Sequence, residues 1–215
     1  MKPFRFEKSY YDAYYRNYSR QNPHGKMIFY KRLVEDALGR HEGLRVLDAG
    51  CAFGAFAAVV NNDWLFFGAD VSSFALKQAH AAAPKARFFV ADVSALPCKQ
   101  QFDCITAFDC LEHVGNLESA VKNIKSLLRG GGWFIFVVPV YDGPTGPLIK
   151  VLDRDPTHIY KKSREWWLQW VSRYFTIRTW RGIYRCLLPW GSYVHAPTTR
   201  FRKWTPAIAV VAQNI

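Results

Sequence analysis

Short apolar runs alternate with segments of helical periodicity through the middle of the chain. The runs are LRVLDAG (44–50), LFFGAD (65–70), ARFFVAD (86–92), FDCITAFD (102–109) and WFIFVVP (133–139). Between them, FGAFAAVV (53–60) and residues 73–83 favour helix, and residues 117–128 place apolar side chains at helical spacing after Asn116, the predicted N-cap. Strands that alternate with helices indicate a parallel sheet covered on both faces.

Two further segments flank this alternating core. GKMIFYKRLVEDAL (25–38) predicts a helix that either packs on the sheet or covers a ligand. SREWWLQWVSRYF (163–175) predicts a helix capped by Ser163, and its tryptophan stripe is more typical of core than of a substrate cradle. Residues 183–206 form a long, aromatic and basic insertion before the final strand AIAVVAQ (207–213), and long ordered loops are commonly lids or binding surfaces.

Four of the apolar runs end in aspartate: Asp48, Asp70, Asp92 and Asp109. In an open parallel sheet, ligands bind outside the carboxyl ends of the strands, so these carboxylates should line the binding edge. A single aspartate there could equally begin a helix as its N-cap. Four at successive strand ends, with a glycine-rich turn at the first, favour a ligand site.

The turn after the first strand, DAGCAFGAF (48–56), narrows the choice of ligand. Glycine permits a tight turn and a close approach of a ligand to the main chain. Ala52 and Ala55 stand where a dinucleotide fingerprint requires glycine, and the phosphate-loop motif is missing. Asp48 would repel a pyrophosphate and suit an ammonium group, while Asp70 could accept hydrogen bonds from ribose. The pattern predicts a nucleoside that bears a positive substituent and no large anionic phosphate group.

Charge and cysteine content limit the partners, the location and the metal content that the sequence predicts. The net charge of +12 divides into +5 over residues 1–40 (9 Lys/Arg less 4 Asp/Glu), −1 over 41–140 (8 less 9) and +8 over 141–215 (12 less 4). Such basic flanks either attract an anionic partner, such as a phosphorylated metabolite, nucleic acid or an acidic membrane, or only aid solubility. The five cysteines lack metal-binding spacing, and neither a signal peptide nor a membrane-spanning run is seen. These features predict a cytoplasmic protein without a metal site.

In order and spacing, LRVLDAGCAFGAF, FFGADVS, FFVADVSALP, FDCITAFDCLEHV and GGGWFIFVVP resemble the motifs of class I S-adenosylmethionine-dependent methyltransferases. The likeness is to the small-molecule branch with L-E-H-V after the fourth strand, and it is strong over residues 40–140. It implies an α/β, Rossmann-like, seven-stranded and mostly parallel sheet with helices on both faces and an N-terminal helical extension. It also implies one methyltransferase domain (1–215), made of a helical cap (1–40), a cofactor-binding core (41–140) and a substrate-side part (141–215). The long insertion before the last strand departs from the family, which joins those strands by a short hairpin loop.

The resemblance also implies a cofactor, S-adenosyl-L-methionine, with S-adenosyl-L-homocysteine as the product. The implied cofactor positions are Asp48, Gly50, Ala52 and Gly54 in the turn beneath the methionine part, Asp70 at the ribose, Asp92 and the Val93 backbone at the adenine, and Phe108 and Asp109 beside the sulfonium. Ala52 departs from the glycine that the family often has there. Its methyl group restricts positive φ angles, so cofactor binding is expected to survive but is less strongly supported at this position.

Fewer residues are candidates for the acceptor side. Methyl transfer needs in-line positioning of the acceptor, and a base only where the acceptor must lose a proton. His158, in DPTHIY (155–160), is the first candidate base, although it could equally hold its loop closed. His113, in L-E-H-V, is the second and could instead stabilise the start of the next helix, and Tyr141 is the third. In the insertion, four basic residues beside two tryptophans are predicted to bind an anionic or amphiphilic acceptor: Arg185, Arg200, Arg202 and Lys203, beside Trp190 and Trp204.

The favoured function is methylation of a small-molecule, glycan or lipid-linked acceptor, with peripheral membrane contact left open. An RNA methyltransferase would suit the basic and aromatic flanks, although no RNA-binding module is recognisable. A non-catalytic protein that retains the cofactor fold is the third alternative. The glycine spacing disfavours a nicotinamide oxidoreductase.

Overall fold

Eight strands form one sheet in the part of the chain that the computed structural model describes, residues 6–39, 43–60, 64–97, 99, 101–188 and 192–215. The strands are β1 (Arg45–Ala49), β2 (Leu65–Asp70), β3 (Arg87–Val90), β4 (Phe102–Phe108), β5 (Leu128–Pro139), β6 (Thr176–Leu187), β7 (Tyr193–Thr198) and β8 (Ala207–Gln213). The α-helices are α1 (Lys8–Tyr14), α2 (Tyr18–Gln21), α3 (His24–Leu38), α4 (Ser73–Ala82), α5 (Leu117–Leu127), α6 (Gly146–Leu152) and α7 (Arg164–Ser172). Short 3₁₀ helices lie at Ala57–Val59, Val93–Ala95, Leu111–His113 and Arg202–Trp204.

The strand order of the sheet is β3-β2-β1-β4-β5-β8-β6-β7. Strands β1 to β5 pair in parallel, β8 lies antiparallel between β5 and β6, and β7 pairs antiparallel with β6. The order reverses between β1 and β4, and their carboxyl ends open onto a crevice, the usual ligand position in such sheets. The predicted α/β fold with a mostly parallel sheet is confirmed.

The eighth strand is the difference from the seven that were expected, and it comes from the insertion. Residues 183–187 lengthen β6, and YVHAPT returns beside it as β7, with Arg185 opposite His195 and Leu187 opposite Tyr193. The insertion therefore extends the sheet as a hairpin instead of lying over it as an irregular loop. Trp190, which was expected beside the basic residues, lies outside the described residues.

Apolar side chains cover both faces of the sheet. On one face, α5 and α7 contribute to a core in which Trp167 and Trp170 are almost completely buried, so these two tryptophans are core residues as the stripe suggested. The Ser163 side chain accepts a hydrogen bond from the Trp166 amide, which confirms the predicted N-cap of α7. On the other face, α3 packs Leu33 and Val34 against β1, β5 and β8.

The helix predicted over FGAFAAVV is not formed in the described residues. One α-type bond joins the Ala58 amide to the Gly54 carbonyl, and the pattern then tightens to the 3₁₀ helix Ala57–Val59. Val60 is already extended. Consecutive valines at 59 and 60 lose side-chain freedom in a helix. Gly50, Ala52 and Gly54 have positive φ, so a helix could begin only after Gly54, and the residues left before Val59 are too few to form one.

The described helices include none that is both long and apolar enough to cross a membrane. Of the cysteines, Cys51, Cys104, Cys110 and Cys186 are free thiols, and Cys98 lies outside the described residues.

Candidate active site

A cavity of about 330 Å³ opens at the carboxyl ends of β1, β2 and β4 and is covered by the N-terminal helices. This volume is within the range of small-molecule sites, about 300–1,000 Å³. Eight of the nine predicted cofactor positions line it: Asp48, Gly50, Ala52, Asp70, Asp92, Val93, Phe108 and Asp109. Gly54 does not line it. A Cβ built there would lie 3.0 Å from Ala79, so this glycine allows α4 to pack against the turn.

The turn after β1 has an unusual backbone that the Asp70 carboxylate holds in place. Gly50, Ala52 and Gly54 have φ values of 80°, 44° and 72°. Alanine seldom adopts such an angle, since its Cβ is crowded there. The Asp70 carboxylate accepts hydrogen bonds from the Ala52 and Ser72 amides, both at 2.9 Å. Asp70 therefore fixes both the turn and the start of α4, and two lone-pair positions remain for a ligand.

Two buried carboxylates at the bottom of the pocket have raised pKa values. Burial raises the pKa of Asp48 to about 7; its hydrogen bond from Thr106, 2.7 Å long, opposes that shift and the nearby Asp70 adds to it. Burial also raises the pKa of Asp70, against the stabilising amides of Ser72 and Ala52. Within the described residues neither carboxylate pairs with a cation, so both are suited to receive one from a ligand.

Asp109, by contrast, is paired twice. Lys26 of α3 lies 3.1 Å from one carboxylate oxygen, and Arg185 of β6 donates from Nη1 to the other. Burial alone would raise the pKa of Asp109, but the charges of Arg185 and Lys26 outweigh it and hold the pKa below its usual range. Asp109 has a left-handed φ of 53°. It thus ties α3, β4 and β6 together at one end of the pocket.

The remaining cofactor-side positions form the rim and the wall between these carboxylates. Asp92 accepts from the Ser94 amide at 2.7 Å, an ordinary capping bond, and Val93 beside it is buried. The Phe108 ring stacks on Tyr30 with ring centroids 4.0 Å apart and meets Phe56 edge-on. The Phe108, Tyr30 and Phe56 rings thus form an apolar wall between the rim at Asp92 and Val93 and the end of the pocket at Asp109.

His158 and Tyr141 meet around a carboxylate that the sequence did not single out. His158 Nδ1 lies 2.9 Å from Asp153 and 3.2 Å from the Tyr141 hydroxyl, which itself donates to Asp153 at 2.5 Å. A carboxylate against Nδ1 favours the proton there and leaves Nε2 as an acceptor. His158 lines the pocket, whereas Tyr141 does not, so Tyr141 lies behind the imidazole and supports Asp153.

His113 lies next to His158, with ring centroids 4.6 Å apart. Its Nδ1 is 2.7 Å from the Thr157 hydroxyl, which donates its own proton to Asp155 and can therefore only accept from His113. Burial, and then the neighbouring His158, lower the pKa of His113 to about 4. At neutral pH this imidazole is uncharged.

Backbone hydrogen bonds bring the two histidines together. The Glu112 carbonyl accepts from the amides of Ile159 and Tyr160, which joins the loop after α6 to the 3₁₀ helix after β4. The ligand atoms of Glu112, His113 and His158 all lie within 4.8 Å of one another and could hold a metal ion. Sequence spacing gave no sign of this group, because its members come from segments far apart in the chain. Burial and the charge of Asp109 raise the pKa of Glu112 well above its usual range.

The tyrosine-rich N-terminus closes the pocket from above. The hydroxyls of Tyr10 and Tyr15 donate to Asp155 at 2.8 and 3.1 Å. Tyr11 and Tyr18 pack their rings against Phe53 in the turn after β1, at 4.6 and 4.5 Å. The density of tyrosines was visible in the sequence, but their attachment to a loop about 140 residues away was not.

Similar curated proteins include ubiquinone biosynthesis O-methyltransferases. The protein of Leptothrix cholodnii is 27% identical over 127 residues, which cover 55% of this chain and 54% of that protein. The protein of Paracidovorax citrulli is 33% identical over 109 residues, covering 47% of this chain and 46% of that one. The chain thus spans about half the length of these relatives. Among solved structures, the magnesium protoporphyrin IX methyltransferase of Synechocystis, with S-adenosylhomocysteine bound, superposes with a TM-score of 0.65 at 18% identity, over 90% of this chain and 84% of that one.

The pocket fits S-adenosyl-L-methionine. The Gly50–Ala52 stretch exposes main chain at the end of β1, and the unpaired carboxylates of Asp48 and Asp70 match an ammonium group and a pair of ribose hydroxyls. The rim at Asp92 and Val93 is open to a flat heterocycle. Beyond single positions, the family model for a methyltransferase domain matches residues 19–185, which include the pocket turn, the strand-end aspartates and both histidines. The chain therefore belongs to the methyltransferase domain family, the S-adenosyl-L-methionine-dependent methyltransferases of class I.

Proposed function

We propose that this protein transfers a methyl group to an oxygen atom of a small-molecule, glycan or lipid-linked acceptor that carries a negative charge. The observation on which this rests is a histidine oriented by a carboxylate, His158 on Asp153, in the same pocket as the acidic cofactor turn. The names of the curated relatives, which are O-methyltransferases of ubiquinone biosynthesis, support oxygen and a small acceptor.

Each part of the pocket has a separate role in this proposal. Asp48 and the turn residues Gly50 and Ala52 hold the methionine part of the cofactor, Gly54 lets α4 pack against that turn, and Asp70 holds the ribose. Asp92 and the Val93 backbone meet the adenine. Phe108 and Asp109 lie between the cofactor and the acceptor. The bound cofactor supplies an electrophilic methyl group on a cationic sulfur.

His158 serves as the general base. Its Nε2 accepts the hydroxyl proton of the acceptor while the oxygen forms its bond to the methyl carbon and the carbon–sulfur bond breaks. The electron pair of that bond would stay with the bound cofactor, and the His158 imidazole would hold the proton. Asp153 stabilises the resulting imidazolium, and Tyr141 holds Asp153 in place. His113, neutral and also directed at the pocket, is the second base candidate.

The acceptor class is tested by label transfer. The protein is incubated with S-adenosyl-L-methionine labelled in its methyl group and with fractionated cell extract. We expect label in a small-molecule or lipid fraction, as an ether that is stable to mild base. Label in RNA would replace the proposal with an RNA methyltransferase. Binding of S-adenosylhomocysteine without transfer to any fraction would favour a protein that keeps only the cofactor site.

The base is tested in the same assay. His158→Asn should retain S-adenosylhomocysteine binding and lose at least about a hundredfold in turnover, the usual contribution of a general base. His80→Asn removes an exposed histidine on α4 and serves as the matched control. Wild-type turnover in His158→Asn would remove this residue from the mechanism.

A further inference from the structure

The end of the pocket beyond Asp109 is built by α3 and by the β6–β7 hairpin. Lys26 and Tyr30 are four residues apart on α3 and so project from one face of the helix. Arg185 and His195 are directly opposite in the hairpin register, and Tyr193, two residues from His195, lies on the same face. Lys26 Nζ is 5.4 Å from the Tyr193 ring centroid and 5.7 Å from that of Tyr30. The two surfaces therefore meet around a single space.

Polar atoms without partners lie at this end of the pocket. The Tyr30 hydroxyl is buried and makes no hydrogen bond to any described residue, the same is true of Glu112 Oε2, and both residues line the pocket. Arg185 is 17% exposed, and within the described chain its guanidinium uses only Nη1, for Asp109. A buried polar group left unpaired destabilises a fold, so an unpaired hydroxyl in the same pocket as unused guanidinium N–H groups indicates a missing partner.

Two cations share one carboxylate at this end of the pocket. Lys26 and Arg185 both pair with Asp109, one on each carboxylate oxygen. Both cations line the pocket, so each can also face a ligand there.

We infer that Arg185 and Tyr30, supported by Lys26 and Tyr193, form a binding site for an anionic oxygen group, a carboxylate or a phosphate, on the methyl acceptor. The Tyr30 hydroxyl and the unused N–H groups of Arg185 are donors, and a planar guanidinium fork pairs with two oxygens of such a group. This inference rests on the proposed function. It gives the acceptor an anionic oxygen group held on the far side of Asp109 from the cofactor turn.

The test uses full-length protein saturated with S-adenosylhomocysteine and three probes of similar size: benzoate, phenyl phosphate and benzamide. Calorimetric titration should show that benzoate or phenyl phosphate binds at least about tenfold more tightly than benzamide, a difference of about 1.4 kcal/mol. The better of the two anions identifies the group as a carboxylate or as a phosphate. Equal affinity for the anions and benzamide, or no binding of either anion at millimolar concentration, would overturn the inference.

Variants locate the site. Arg185→Gln should weaken the preferred anion by tenfold or more, and Arg185→Lys should recover part of that loss, because it restores the charge without the fork. Arg181→Gln is the matched control: it removes the same charge from the same strand, where Arg181 pairs with Asp36 at the surface. Unchanged anion affinity in Arg185→Gln, or an equal loss in Arg181→Gln, would contradict a site at Arg185.

Tyr30→Phe separates ligand binding from a structural role. Because the Tyr30 hydroxyl has no partner in the described residues, its removal should leave the melting temperature unchanged or higher while weakening the anion. A lower melting temperature with unchanged anion affinity would show that the hydroxyl supports the fold. Affinity for S-adenosylhomocysteine, measured in the same titrations, tests the proposed function independently: its absence in the wild type would remove that function, whereas its presence without anion selectivity would remove only this inference.

Discussion

A single carboxylate, Asp70, holds the turn after β1 in addition to the ribose role proposed for it. The sequence indicated only the ribose-binding residue. The structure shows that the same oxygens hold the Ala52 amide, in a strained turn, and the Ser72 amide. Removing the side chain would therefore leave two amide donors without their acceptor.

The Asp70 substitutions can be separated by this double role. Asp70→Asn keeps one of the two oxygens that the amides use and should cost about tenfold or more in S-adenosylhomocysteine affinity, since hydrogen bonds to a charged group contribute about 1.5–3 kcal/mol. Asp70→Ala removes both oxygens, so it should lose the same affinity and lower the melting temperature more than Asp70→Asn does. Calorimetry and thermal unfolding measure the two effects, with the exposed Asp36→Asn as control. Wild-type affinity in Asp70→Asn would reject the ribose role.

We expect Asp48 to make cofactor binding depend on pH. Its folded-state pKa of about 7 lies above the usual value near 3.9, so the folded protein holds an extra proton between these values. This extra proton stabilises the folded state at low pH, and the stabilisation is lost as pH rises through about 7. Affinity for a ligand ammonium follows the opposite trend, because only the ionised form attracts it.

We therefore expect S-adenosylhomocysteine affinity to rise as pH increases through about 7 and then to level off. Asp48→Asn should bind more weakly and show no such rise. Titrations in two buffers of different ionisation enthalpy would detect the proton released on binding. A pH-independent affinity in the wild type would exclude Asp48 as the ammonium partner.

At the scale of elements, the strands were predictable and the connection after β1 was not. Each parallel strand is a short, continuous apolar run, and its length and the turn residues on either side identify it in the sequence. The residues after Gly54 have helical composition, yet they form only a 3₁₀ turn, because hydrogen bonding to Asp70 and packing against α4 fix the turn's backbone first. The sequence predicted a loop where β7 forms, because the local pattern does not show that this segment pairs with β6.

The turn offers a matched pair of substitutions. Gly54→Ala places a Cβ at positive φ and 3.0 Å from Ala79, and should destabilise the fold by roughly 1–2 kcal/mol or more. Ala52→Gly relieves the crowding at φ 44° and should be neutral or stabilising. Denaturant unfolding measures both. Equal effects of the two changes would show that the positive φ angles do not govern this turn.

At the scale of the whole molecule, the N-terminal helices are held to the loop of the catalytic candidates. Tyr10 and Tyr15 share one oxygen of Asp155, whose other oxygen holds Thr157 and, through it, His113. Because these hydrogen bonds hold the N-terminal helices over the pocket, we expect them to break before a ligand enters or leaves. Sequence could predict a helical cap but not its anchor, because nothing in the local pattern links residues 10–15 to Asp155.

The attachment can be weakened without disturbing the rings. The double variant Tyr10→Phe and Tyr15→Phe should release S-adenosylhomocysteine roughly fivefold to tenfold faster, with each bond contributing about 1 kcal/mol. Tyr14→Phe changes a more exposed ring on the same helix and is the control. Stopped-flow displacement gives the rates. If the double variant releases the ligand at the wild-type rate, as Tyr14→Phe should, the cap does not limit exit.

The cofactor half of the site was largely predictable, and the acceptor half largely was not. Asp48, Asp70, Asp92 and Asp109 follow from the rule that strand ends line the crevice, and all four line it. Nothing in the sequence distinguishes Lys26 from Lys31 on the same helix, or Asp153 from the nearby Asp155. Their importance arises from burial and from partners that only the tertiary fold supplies.

The β6–β7 hairpin lies at the sheet edge, four positions from β1 in the strand order, yet it delivers Arg185 to the pocket. In the proposed function, the acceptor is thereby recognised by a hairpin that lies apart from the strands carrying the cofactor turn. Exchanging other hairpin residues while Arg185 stays paired with Asp109 offers a route to new acceptors.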